Sequence, residues 1–354
     1  MAATRDGAGG KGWRRLRAPL RWAAALLFFF VCARVLLHNP EPLRRLASLH
    51  PALLAALLGL AVLNDLFMSW RLALAVTECG GPRVSGLSWF RLVIVGQFLN
   101  LAVPQLGNLY RGVVLKREHG VPYMAYASGL FAFVWLDTVF GFSICTVILA
   151  VLRPGLELGG VPALPVLVAV VVSLVAGPVL VARGLGAARL GGAWASWLHE
   201  RATRLLTTAT RSLGRPRFVG RFSSVSVLVT VEQMLALYLC FGAVGHPVDV
   251  PTAALFQVVV KLSNQVQITP GNLGLTELAW GVLGAAAQGG GLEHGIAASL
   301  LFRAAFTAVL VTLGVLFGGL GLLRGGRSGV LAGQEAGPDV AAPGGDRASA
   351  PPGG

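Results

Sequence analysis

Acidic side chains are scarce in this chain. Fifteen Asp and Glu stand against 29 Lys and Arg among 354 residues, and charged residues of both signs make up only 12%. A soluble domain is about 25% charged, so an ordinary soluble fold would have too little polar surface. Cysteine is scarce too. Cys32, Cys79, Cys145 and Cys240 include no C-x-x-C pair, and three of them sit in apolar stretches, so they read as small packing residues rather than disulfides or metal ligands. The six histidines form no H-E-x-x-H, and no G-x-x-x-x-G-K-[ST] occurs, so neither that zinc centre nor a P-loop is expected. Covalent or acid–base catalysis needs a nucleophile near a base, or a metal cluster. No histidine lies within any long apolar run. The chain therefore reads as no enzyme, with no cofactor and no metal.

What the chain does have is apolar length. Hydrophobic residues are 55% of it, and uncharged or nearly uncharged runs cover residues 51–69, 125–152, 161–182, 223–244 and 295–323. About 20 apolar residues cross a bilayer as a helix. Membrane strands need only about ten with alternating polarity, and these runs are longer and apolar all round, so helices are expected. The net charge of +14 is accounted for by Arg and Lys clustered between the runs, where positive charge fixes orientation. No aromatic–basic interleaving or zinc spacing supports nucleic-acid binding. Spacings such as Gly314 with Gly318 read as close helix packing rather than a nucleotide loop.

Charge then assigns sides. Residues 1–21 carry Arg5, Lys11, Arg14, Arg15, Arg17 and Arg21 against Asp6, which places a basic N-terminus in the cytoplasm of a bacterial-type inner membrane. The apolar run 22–37 follows. It has the form of a signal peptide, with Val31-Cys32-Ala33 as a tolerable cleavage site. An uncleaved first span fits the multi-span remainder better. Span 51–69 returns and ends at Trp70-Arg71, an interfacial anchor, with Asp65 near the same interface and loop 71–91 cytoplasmic. Segment 92–111 is apolar but broken by Pro104 and dotted with Gln97, Asn100, Gln105 and Asn108, and Arg111, Lys116 and Arg117 come at its end. A re-entrant hairpin keeps those cations inside. Spans 125–152 and 161–182 go out and back to the basic stretch 183–221, whose apolar and basic spacing suits the anionic leaflet. Span 223–244 leads out to the loop 245–251. A second broken segment, 252–287, reads as a hairpin entered from outside. Span 295–323 returns to Arg324 and Arg327, and the Gly/Pro/Ala-rich residues 325–354 read as a disordered cytoplasmic tail.

The expectation is an all-α polytopic membrane protein with six full spans and two re-entrant hairpins, eight hydrophobic segments in all. Residues 22–152 and 161–324 form two halves of a membrane domain with the same order and opposite orientation, the inverted repeat of many transporters. The breaks resemble each other: Pro104-Gln-Leu-Gly-Asn-Leu-Tyr-Arg111 and Pro270-Gly-Asn-Leu-Gly-Leu-Thr-Glu277. Each has Pro, a Gly-Asn-Leu and a charge seven residues after the Pro, of opposite sign. Pro104, Gly107, Pro270, Gly271 and Gly274 are the backbone breaks. Intramembrane charge is costly, so it is by default functional or paired. Asp137 and Arg303 lie inside spans, and for each a structural ion pair and a substrate contact both stand open. Glu232 and Lys261 are further intramembrane charges. The hairpin tips are expected to meet at mid-membrane, with Arg111 and Glu277 pairing there until an anionic headgroup arrives. Asn100, Asn108, Asn264 and Asn272 complete the candidate substrate-binding set.

Four stretches resemble a known family, the lysylphosphatidylglycerol synthase transmembrane-region (flippase-like) proteins. They are GQFLNLAVPQLGNLYRGVVLKRE, WLDTVFGF, TPGNLGLTELAWG and LLFRAAFTAVLVTLG, and the likeness covers roughly residues 15–325. Arg111, Asp137, Glu277 and Arg303 match the family's charged positions, while Gln105 and Asn272 stand where its glycines are common. The resemblance implies translocation of a lipid or glycolipid between leaflets. It implies no synthesis, since no stretch here matches the soluble aminoacyl-transferase domain of the family's enzymes. The partner implied is a membrane lipid, an anionic phospholipid or a lipid-linked glycan. The alternative is a non-transporting scaffold or accessory subunit for an envelope glycosyltransferase.

Overall fold

A computed structural model describes residues 30–103, 105–158, 160–187, 214–265, 274–288 and 291–318, with Leu27, Glu200, Thr203 and Thr207. The side chains of residues 179, 182–187, 263–265 and 288 are outside that description. The helices are α1 (residues 30–38), α2 (Glu41–Ala47), α3 (Pro51–Glu78), α4 (Gly86–Ala102), α5 (Leu106–His119) and α6 (Tyr123–Leu152). They continue as α7 (Ala163–Ala187), α8 (Pro216–Ala243), α9 (Val250–Gln265), α10 (Leu275–Gln288) and α11 (Leu292–Leu316). A two-residue ladder, β1 (Glu157–Leu158) with β2 (Val161–Pro162), turns the chain from α6 to α7.

Helices α3, α6, α8 and α11 are each long and apolar enough to cross a membrane, and α4, α9, α10 and residues 163–178 of α7 are shorter apolar helices. The protein is thus an all-α membrane protein with several spans. Leu66, Val147, Val151, Val172, Val231 and Leu235 remain exposed on the outside of the helices, as expected where the solvent is hydrocarbon.

Local chemistry sets the helix ends. Ser85 Oγ accepts from the Ser88 N–H at 3.2 Å and opens α4, a side-chain N-cap. Gly120 closes α5 with φ +68°, and the Val121 N–H reaches back to Leu115 O at 3.1 Å, the left-handed cap that glycine favours. Helix α3 begins with Pro51 in its first turn, where a missing N–H leaves no bond unmade.

Three contacts fix the relation of α3 to α8. Glu78, at the end of α3, pairs with Arg215, just before α8, at 2.6 Å. Asn64 accepts from Gln233 Nε2 at 2.9 Å halfway along. Leu57 shares a buried cluster with Leu237 and Phe241 at the far end. The two helices therefore run antiparallel. The core divides accordingly. Leu57, Phe241, Phe256 and Trp280 pack toward one end, and Val76, Trp89, Phe133 and Phe222 toward the other.

One sequence expectation is corrected. The helix expected to end at Trp70-Arg71 does not: α3 continues to Glu78, and the Arg71 guanidinium has a carboxylate partner inside the bundle. Asp65 is buried between helices and accepts from Gln97 of α4. The expected loops 71–91 and 111–124 are correspondingly short, residues 79–85 and 120–122, and the broken segments extend beyond 92–111 and 252–287 to residues 86–119 and 250–288. The N-terminus 1–21, nearly all of 188–213, the second break at 266–273 and the tail 325–354 lie outside the described residues.

Candidate functional site

A polar network crosses the bundle. Asp137 of α6 accepts from Lys261 Nζ of α9 at 2.8 Å and from Arg71 Nη1 of α3 with the same oxygen, Oδ1. Lys261 and Arg71 are buried and Asp137 is half-buried. The Lys261 stem lies against Gly141 of α6, where any Cβ would collide with it. The Arg71 guanidinium also stands over two rings, 5.3 Å from the Phe133 centroid and 5.9 Å from that of Phe222. Such a cation–π contact strengthens when desolvated.

The network continues from α3 in two directions. Asp65 Oδ1 accepts from Gln97 Nε2 at 3.3 Å. On the neighbouring position, Asn64 accepts from Gln233 of α8, whose own carbonyl accepts from Gln257 of α9. Glu232, next to Gln233, is buried, has Asp65 and Arg71 as charged neighbours, and neither of its carboxyl oxygens has a hydrogen-bond partner among the described residues. Buried polar atoms without partners are rare. Five ionisable side chains, Asp65, Arg71, Asp137, Glu232 and Lys261, thus gather between α3, α6, α8 and α9.

The two breaks carry charges of their own. Helices α4 and α5 meet so closely that a Cβ on Gly107 would collide with the Gly96 carbonyl. Asn100 accepts from the Gly107 N–H at 2.7 Å, and Asn108 donates to Gln105 Oε1. Gln105 itself holds φ +68°, left-handed backbone that costs a non-glycine residue about 1–2 kcal/mol. Arg111 lies flat across Gly96 and donates from Nε to Gly107 O at 3.2 Å. It is buried near Tyr126, and no carboxylate among the described residues pairs with it.

Glu277 is held differently. One oxygen accepts from the Gly274 N–H at 2.6 Å, which caps α10, and the other lies 2.6 Å from Arg303 Nε of α11. Gly274 has φ +82° and its carbonyl accepts from the Cys32 thiol of α1 at 3.8 Å. The expected Arg111–Glu277 pair is therefore not made. The acid answers to Arg303, because the two stand on adjacent helices whose backbones touch at Gly281 and Gly295.

Of the sequence candidates, the structure brings Asp137 into the central network and joins Glu277 to Arg303. It places Asn100, Gly107, Asn108 and Arg111 together at the first break. Pro104, Pro270, Gly271 and Asn272, and the Asn264 side chain, lie outside the described residues. Arg71, Asn64, Gln233 and Gln257 were missed. A signal existed for them: Glu232-Gln233 and Asn64-Asp65 are adjacent polar pairs in the middle of otherwise apolar helices. No group of three or more His, Cys, Asp or Glu able to hold a metal occurs among the described residues.

The chain matches the family described as "Lysylphosphatidylglycerol synthase TM region" over residues 20–314. No curated protein and no solved structure matches it.

Proposed function

Because the chain belongs to the lysylphosphatidylglycerol synthase TM-region family, we propose that it is a flippase-like transporter that moves an anionic lipid-linked substrate between the leaflets of a bacterial-type inner membrane. The observation that carries this reading is the charged network. Each central Asp, Lys or Arg costs on the order of 2.5–3.5 kcal/mol to insert, and buried ion pairs can often be replaced by apolar side chains without loss of stability. Helix packing alone gives no reason for five such groups, least of all for Glu232, whose carboxyl oxygens have no hydrogen-bond partner among the described residues. A route for a polar headgroup does.

The architecture proposed with it is six full spans and two re-entrant hairpins in an inverted repeat, with both termini cytoplasmic. Helix lengths support the repeat. Over the described residues the series α3, α4, α5, α6 runs 28, 17, 14 and 30 residues, and α8, α9, α10, α11 runs 28, 16, 14 and 25. The antiparallel run of α3 and α8 supports opposite senses for the two series. Alternating access in such folds rocks one repeat against the other around a midplane site, and the Lys261–Asp137–Arg71 cluster joins the two series.

The test is translocation of labelled phospholipids and lipid-linked glycans in proteoliposomes holding the full chain. Transport above empty liposomes, lost in Asp137→Asn although the protein still inserts, is the expected result. No movement of any anionic lipid would end the transporter reading in favour of a scaffold for an envelope glycosyltransferase.

A further inference from the structure

A second feature lies away from the central network. A cavity of about 890 Å³ opens between the C-terminal half of α3, the start of α4 and the start of α8. Its floor is apolar: Leu66, Trp70 and Leu74 follow one another along α3, with Phe218 of α8 opposite. From Leu66 to Glu78 the trough runs about 18 Å at the usual helical rise. Its mouth is basic, with Arg83, Arg217 and Arg221 around it. The acid there, Glu78, is already paired with Arg215. None of the three mouth arginines pairs with a carboxylate among the described residues. Helices α4 and α8 both begin at this mouth, so their free N–H groups add positive potential.

We propose that this groove is a binding site for a membrane phospholipid with a net-negative headgroup. Its phosphate is held by Arg83, Arg217 and Arg221, and an acyl chain lies along Leu66, Trp70 and Leu74. Arginine suits this role because its planar fork gives phosphate two hydrogen bonds at once. The apolar trough decides for a lipid over a soluble anion, which would occupy the mouth and leave the trough bare. Leu66 is 48% exposed and Trp70 52%, so the trough is continuous with the lipid-facing surface of α3 and a chain enters without crossing water. Trp89, 1% exposed and with its indole N–H unpartnered among the described residues, backs the cavity wall. The site goes beyond the transport reading and does not depend on it.

The test is equilibrium binding of chain-labelled phosphatidylglycerol and phosphatidylcholine to the purified full-length protein in neutral detergent. The expected result is at least about tenfold preference for the anionic lipid. Replacing Arg83, Arg217 and Arg221 together by Gln should abolish that preference, and Leu74→Trp, which fills the trough, should weaken both lipids. All three arginines are exposed, and circular dichroism with a melting curve checks that each variant stays folded. Equal binding of both lipids, unchanged in the triple variant, would mean ordinary boundary lipid and overturn the proposal. Displacement of the lipid by inorganic phosphate alone would make the groove a soluble-anion site and overturn it too. Selective binding in a protein that transports nothing would leave the groove standing and remove only the transport reading.

Discussion

Lys261 of α9 sets its ammonium 2.8 Å from the Asp137 carboxylate of α6, and the same oxygen also serves Arg71 of α3. One acid is thus shared by two buried cations from different parts of the chain. Asp137→Asn removes the carboxylate that both cations bond directly, and breaking a buried pair costs about 3–5 kcal/mol. Lys261→Met leaves the Arg71–Asp137 pair in place. In detergent melts Asp137→Asn should lower the midpoint clearly more than Lys261→Met. The reverse order would show that the acid is not the hub.

Glu277 and Arg303 should be coupled. A double-mutant cycle on stability with Glu277→Gln and Arg303→Gln is expected to return an interaction of about 0.5–3 kcal/mol, the range for residues in one ion pair. The same cycle for Glu277 and Arg111 should be additive. Strong coupling of Glu277 to Arg111 with none to Arg303 would restore the pairing first expected across the two breaks.

Gln105 holds left-handed backbone at the first break. Gln105→Gly removes a strain of about 1–2 kcal/mol, offset in part by greater chain entropy and by loss of the bond to Asn108. A small rise in melting midpoint is expected. Gln105→Val, branched at Cβ, should fall below the wild type. Equal midpoints for all three would mean the break does not hold this conformation in the membrane.

His246, in the segment joining α8 to α9, has its pKa held below the usual histidine value, first by burial, then by His294, whose ring lies 4.9 Å away, against the opposing pull of Glu293. The unfolded chain therefore takes up the proton at a higher pH than the folded one. His246 thus contributes stability above the ordinary histidine pKa of about 6.5 that is lost as pH falls from there through the lower folded value. His246→Gln should flatten the stability curve between about pH 7 and pH 5, read from melting midpoints across that range. An unchanged acid limb would assign it to other groups.

The apolar helices were legible because hydropathy sums over many residues, and so were the breaks at 103–105 and near Gly274, where Pro, Gly and Asn cluster. The family likeness rested on the same stretches. Pairing was not legible. Arg71 looked like a membrane boundary because a lone arginine after tryptophan usually is one, and nothing local tells that Asp137, 66 residues on, pairs with it inside the bundle. Glu277 and Arg111 matched in spacing and sign, but which cation meets an acid depends on helix contacts. The α10–α11 approach at Gly281 and Gly295 puts Arg303 there instead.

The contact between Gly96 and Gly107 has a mechanical consequence. With backbone against backbone and no side chain between them, α4 and α5 have no slack in which to slide or scissor. Any displacement that keeps this contact carries both helices as one stiff wedge. The bending is then left to the wedge's two roots. A glycine in left-handed backbone stands at each: Gly80 at φ +93° where α3 ends and Gly120 at φ +68° where α5 ends. Arg111, clamped across Gly96, would travel with the wedge, so its charge would be displaced relative to Asp137 without its own side chain changing shape.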